Sequence, residues 1–178
     1  MAISSTIQVG LSACLSGMAV RYDGADKRSD VCLNIIATHF DLVTFCPEVA
    51  AGFGIPRAPM HLIGNIEFPA LQYRDGGHED MSTELKNAIE SKLADFSNLD
   101  GFILVQNSPS CGLVDVKVYQ EEQEVYLHQG QGLFAAALRE RFPRMPLVEE
   151  RQLHELNVRE QFIAQVQAHH DTRTQEST

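Results

Sequence analysis

The sequence predicts a single α/β domain built on a mainly parallel sheet with helices on both faces. Short apolar strands alternate with segments of helical period along the chain. Gly101-Phe102-Ile103-Leu104-Val105 is a nearly continuous apolar run, as in strands covered on both faces. A length of 178 residues suits one domain with a sizeable core, and no internal repeat or linker divides it.

Residues 7–12 read as a short buried strand that runs into Cys14 and a Ser-Gly turn. Val31, Leu33, Ile35, Ile36 and Phe40 have helical spacing over residues 31–40, and Leu42-Val43-Thr44-Phe45 forms a second strand ending at Cys46-Pro47. Ser82 is placed to cap a helix whose apolar face is Leu85, Ala88, Ile89, Leu93 and Phe96. The strand at 101–105 stops at Gln106-Asn107-Ser108-Pro109-Ser110-Cys111-Gly112, a loop by composition. Residues 116–119 and 124–127 pair as a hairpin, residues 132–141 form a helix, 145–148 a last strand and 153–166 a final helix. The result is a three-layer, Rossmann-like domain over residues 1–168 with a polar, frayed tail at 169–178. Gly52-Phe53-Gly54, Gly76-Gly77 and Gly130-Gln131-Gly132 match no dinucleotide or phosphate-loop pattern and read as turn glycines.

Charge narrows the function classes. With 24 acidic against 14 basic side chains, the net charge of -10 argues against wrapping duplex DNA, whose binding is driven by Lys and Arg displacing phosphate counterions. A local basic patch of Arg21, Lys27, Arg28 and Arg57 leaves tRNA open as a partner. No apolar run approaches the ~20 residues of a membrane span. Residues 1–6 lack the basic and apolar regions of a signal peptide, so a cytoplasmic location is expected. No feature of the sequence speaks to oligomeric state.

The 4 cysteines are too few and too scattered for a disulfide scaffold. Cys32 lies within the 31–40 segment between Val31 and Leu33 and reads as core filler. Cys14, Cys46 and Cys111 each follow an expected strand, among Ser, Gly and Pro. Ligands gather outside the carboxyl ends of strands in open α/β sheets, so these cysteines are expected to converge. Zinc would favour a short two-cysteine hook, which is absent, and a hydrolytic thiol would need a histidine partner that is not recognisable. A set of three thiolates with one open position suits a [4Fe-4S] cluster. Spacing alone leaves all three readings open.

The flanking residues add a resemblance. Ser12-Ala13-Cys14-Leu15-Ser16-Gly17, Val20-Arg21-Tyr22-Asp23-Gly24, Lys27-Arg28, Cys46-Pro47-Glu48-Val49, Pro56-Arg57-Ala58-Pro59 and Ser108-Pro109-Ser110-Cys111-Gly112 occur in this order. Together they resemble the 2-thiouracil desulfurase family. Val116-Lys117-Val118-Tyr119 and Pro146-Leu147-Val148-Glu149-Glu150 resemble its longer branch, which is sometimes fused to a second domain. The resemblance implies a [4Fe-4S] cluster on Cys14, Cys46 and Cys111, with catalytic groups at Glu48 and Ser108. It implies a small thiolated pyrimidine as substrate, whose thiocarbonyl sulfur is replaced by water without net redox change. The chain departs from many relatives in carrying Gln106-Asn107 where they have a lysine, and Gly24-Ala25-Asp26 where they often read Gly-Gly-His.

Glu48 also fits a first-turn acid that complements a helix dipole after Pro47. Ser110 reads equally as turn chemistry or as a donor to substrate. Arg21 and Asp23 form a buried loop-organising pair or read the pyrimidine edge, and Arg57 joins them as a substrate-binding candidate. The sequence thus predicts an iron–sulfur-dependent desulfurase, a hydrolytic enzyme. The alternatives are a cluster-bearing sensor or thiolated-base-binding protein without turnover, and a zinc-stabilised or metal-free interaction domain.

Overall fold

The computed structural model describes residues 6–75, 79–120 and 126–176. Its strands are β1 (Gln8–Ser12), β2 (Asp41–Phe45), β3 (Met60–Ile63), β4 (Ala70–Tyr73), β5 (Gly101–Leu104), β6 (Val116–Tyr119), β7 (Tyr126–Gly130) and β8 (Leu147–Glu149). Its α-helices are α1 (Asp30–Asn34), α2 (Pro47–Ala50), α3 (Ser82–Leu93), α4 (Leu133–Arg141) and α5 (Leu156–Glu176).

The main sheet runs β2-β1-β5-β8 and is parallel throughout, as the apolar strands imply. The chain moves from β1 to β2 on one side and later returns to β5 on the other. Strand order therefore reverses at β1, which is where an open α/β sheet makes its crevice. Helices cover both faces. On one face Phe102 stacks edge-on against Phe134 and Phe96, at centroid distances of 5.2 and 5.9 Å. Gly10 lies beneath this ring, and a Cβ there would stand 2.2 Å from a Phe102 ring carbon. On the other face, Phe162 and Val166 of α5 press on Gly101.

A second sheet, β4-β3-β6-β7, is mixed and was not anticipated from the sequence. Only the β6–β7 hairpin was expected. Of its second arm, residues 124–125 lie outside the described residues, as do Gly76-Gly77 and residues 177–178.

Several expected elements shift for local reasons. The 31–40 helix stops at Ile35, whose φ of -118° and ψ of -62° leave helical geometry, and resumes as a 3₁₀ turn. The adjacent β-branched Ile35 and Ile36 follow Asn34, a weak helix former, so burial of Ile36 and Phe40 decides the path. Ser82 is the first helical residue rather than the cap. Its Oγ accepts the Leu71 N–H at 2.7 Å, tying α3 to β4, while Asp80 Oδ1 accepts the Ser82 N–H.

The polar tail is not frayed at His169, because α5 continues to Glu176. Its anchor is Asp100, fully buried just before β5. Arg173 donates to both Asp100 oxygens at 2.9 and 3.1 Å, and Nδ1 of His170 and His169 lie at 2.8 and 3.3 Å. No helix among the described residues is long and apolar enough to cross a membrane.

Burial alone would raise the Asp100 carboxyl, yet the hydrogen bonds and charges of Arg173 and His170 outweigh it and hold it below its ordinary value. A depressed folded-state value means that this stabilisation is complete above the unfolded value near ~4 and is lost as pH falls through the folded one. Asp100→Ala should cost about 3 kcal/mol in urea unfolding at neutral pH, since it removes the buried acceptor that Arg173 and His170 share. Asp100→Asn should flatten the acid limb of the stability curve below about pH 4.

Candidate active site

Three neighbouring strands deliver the cysteines. β1 ends at Ser12 and a 3₁₀ turn carries Cys14, β2 ends at Phe45 and leads into Cys46, and the loop after β5 carries Cys111. Phe45 packs at 5.1 Å from both Phe96 and Phe134, so the aromatic core fixes the residue next to Cys46. All three cysteines line a cavity of about 380 Å³ at this sheet edge, with Glu48, Arg57, Gln106 and Ser108. Cys32 is buried within α1 and lines no part of it.

The Cys111 loop is clamped from outside. At the start of α4 the Phe134 and Leu133 N–H groups, unpaired within the helix, donate to the carbonyls of Ser110 at 2.8 Å and Pro109 at 3.1 Å. Gly132 allows this approach, because a Cβ there would sit 2.5 Å from the Ser110 carbonyl. It is thus a close-packing glycine rather than a turn glycine. From inside, Ser108 Oγ accepts the N–H groups of Ser110 and Cys111 at 3.2 and 3.0 Å. Buried Glu149 Oε1 accepts those of Leu113 and Val114 at 2.9 and 3.2 Å.

Glu48 enters from the first turn of α2 and is 9 % exposed. Arg57 Nε and Nη2 both donate to its Oε2, the former at 2.8 Å. Ser110 Oγ, fully buried, donates to Oε1 at 2.6 Å. Arg57 Nη1 also donates to the carbonyls of Val20 and Gly54, each at 3.0 Å. Arg57 and Ser110 thus hold Glu48 in place, which is what their geometry offers beside the substrate-binding roles expected of them.

Arg21 lines the cavity, but Asp23 does not. Their pair is loose, at 3.7 Å, and about a third of each side chain is exposed, so it is not the buried pair expected. Asp23 instead closes its own turn by accepting the Ala25 N–H. Two cavity residues went unseen in the sequence, Met60 of β3 and Arg74 just past β4. The signal was present in Met60-His61-Leu62-Ile63, whose burial alternates as a half-covered strand does.

Burial pushes the Cys14 thiol up to about 11, and nearby Cys46 adds to it, while Arg21 and Lys27 offset part of the rise. Burial likewise raises Cys46 and Cys111, the latter with further contributions from Cys46, Glu48 and Cys14. Among the described residues no three His, Cys, Asp or Glu side chains converge closely enough to share one metal ion. A polynuclear cluster does not require that, since each thiolate binds a different iron. Buried thiols that repel one another as anions, around a cavity, form a donor set that fits such a cluster.

The family model for 2-thiouracil desulfurase matches residues 9–150. The uncharacterized protein YbbK of Bacillus subtilis is 32% identical over 109 residues, 57% of this chain and 71% of that protein. The solved structure of a [4Fe-4S]-dependent thiouracil desulfidase, TudS, aligns with a TM-score of 0.66 at 30% identity, covering 85% of this chain and 96% of that one.

Replacing Arg57 by Met should destabilise the fold by about 3–5 kcal/mol, because Glu48 is then a buried carboxylate without its cation. Asp23→Ala, at the exposed pair, should stay within about 1 kcal/mol of the parent. Chemical denaturation under reducing conditions measures both.

Proposed function

The chain belongs to the 2-thiouracil desulfurase family, and from this we propose that it removes sulfur from a thiolated pyrimidine with the help of a [4Fe-4S] cluster. The observation that carries the reading is the convergence of Cys14, Cys46 and Cys111 on one cavity together with Glu48. A thiocarbonyl and water give a carbonyl and hydrogen sulfide, so no electrons are exchanged.

Cys14, Cys46 and Cys111 would hold the cluster as thiolates. When bound, it supplies a soft Lewis acid suited to a thiocarbonyl sulfur, through the iron that no cysteine ligates. The remaining work falls to the chain. Glu48 is held by Arg57 and Ser110 from behind and fronts the cavity, where its carboxylate accepts a proton from attacking water. Ser108 uses its oxygen to accept two backbone N–H groups, which leaves its O–H to donate into the cavity. That hydrogen can be given to a ring heteroatom of the substrate. The walls from Phe45, Val105 and Pro109 limit the water that reaches the reacting carbon.

A binding protein without turnover is the second reading. It is favoured by one observation, that both oxygens of Glu48 are already engaged by protein donors.

Anaerobic reconstitution with iron and sulfide should load about four irons per chain, as one [4Fe-4S] centre requires. The loaded protein should then release sulfide from 2-thiouracil. Glu48→Gln should lose roughly a hundredfold or more in kcat per iron-loaded chain, the scale of a general base, with the iron content measured alongside because the change also removes the anion that Arg57 pairs with. Cys111→Ala should lose activity altogether. Thiouracil binding without sulfide release would establish the second reading instead.

A further inference from the structure

Two adjacent acids close β8, and both are buried: Glu149 is 0 % and Glu150 7 % exposed. Neither lines the cavity. Taking a carboxylate out of water costs nearly what its pairing returns, so buried acids are weak sources of stability. What this pair does is visible in the segments it holds.

Glu149 Oε1 accepts the N–H groups of Leu113 and Val114, two and three residues past Cys111, at 2.9 and 3.2 Å. Glu150 Oε1 accepts the Ser29 O–H at 2.7 Å, across 121 residues of sequence. The Ser29 segment runs beside the Cys14 turn. The Lys27 N–H donates to the Cys14 carbonyl and the Ser29 N–H to the Leu15 carbonyl, each at 2.9 Å. Ser29 Oγ also accepts the Cys32 N–H at 3.3 Å, so the same hydroxyl starts α1. Each acid has a basic neighbour from the turn at Glu150–His154. Arg151 Nε lies 2.6 Å from Glu149 Oε2, and His154 Nε2 lies 3.0 Å from Glu150 Oε1. Burial alone would raise the Glu150 carboxyl, but the hydrogen bonds of Ser29 and His154 hold it below its ordinary value.

Two consecutive residues of one strand end therefore reach the segments of two cysteines. The segments of Cys46 and Cys111 are joined separately, through Glu48 and Ser110. Resting on the cluster reading, we propose that Glu149 and Glu150 are positioning residues that act in series, fixing the Cys14 turn and the Cys111 loop at the separation a cluster needs. Outer partners act on a metal centre through its ligands, and losing one costs about tenfold to a hundredfold in metal affinity or activity.

The test is iron release to bathophenanthroline disulfonate from the anaerobically reconstituted full chain, read per loaded cluster, beside the EPR spectrum of the reduced cluster. Glu149→Ala and Glu150→Ala should each release iron about tenfold or more faster than the parent, with a shifted spectrum. Glu149→Gln and Glu150→Gln keep a carbonyl acceptor in place and should stay within about threefold of the parent. Cutting a tie in series at either point frees the spacing. The doubly alanine-substituted chain should then release iron no faster than the faster single variant, whereas the effects of two separate clamps would multiply. Asp100→Asn weakens the fold at the opposite end of β5 and should leave rate and spectrum unchanged, which separates positioning from loss of stability. Parental rates and spectra in both alanine variants, effects that multiply in the double variant, or an equal acceleration in Asp100→Asn overturn the assignment. A parent that takes up no cluster overturns the reading of the site and the assignment with it. The expected pattern in a protein that loads iron but releases no sulfide from 2-thiouracil overturns turnover alone and supports the tie.

Discussion

The carboxylate of Glu48 is the point on which the site depends. One oxygen is held by Arg57, from the segment after α2, and the other by Ser110, next to Cys111 in the loop after β5. Glu48 itself lies two residues beyond Cys46. One buried group therefore links the segments that carry two of the three cysteines, and its partner Arg57 ties the loop at 54–57 to the Val20 carbonyl. Breaking a buried ion pair from one side leaves an uncompensated charge, which makes the arrangement strongly interdependent. Glu48 also lines the cavity, so the group that organises the site stands at its wall.

The sheet explains why these contacts form. Parallel strands β2, β1 and β5 end at one edge, and strand order reverses at β1. Residues distant in sequence then meet at that edge. The stacked Phe45, Phe96, Phe102 and Phe134 rings lie beneath that edge and hold the strand ends rigidly.

The parallel strands and the convergence of Cys14, Cys46 and Cys111 were legible because they are local patterns, apolar runs closed by Ser, Gly or Pro. What escaped were partnerships across sequence. Nothing near Asp100 announces Arg173, and a polar segment such as His169–Glu176 looks frayed until its buried anion is known. The bond from Arg57 to Glu48 escaped for the same reason, since the two meet only in space. Strands β3 and β4 were missed although Met60 and Leu62 flank His61 as in a half-covered strand, and Arg74 was lost with them.

In the proposed function, the cysteine set would leave one iron open to the sulfur of the substrate. Mössbauer spectroscopy of protein reconstituted with iron-57, recorded before and after anaerobic addition of 2-thiouracil, tests it most directly. The account predicts that a single iron site changes its isomer shift and quadrupole splitting while the other sites keep theirs. A spectrum unchanged by substrate in a protein that still releases sulfide would contradict it.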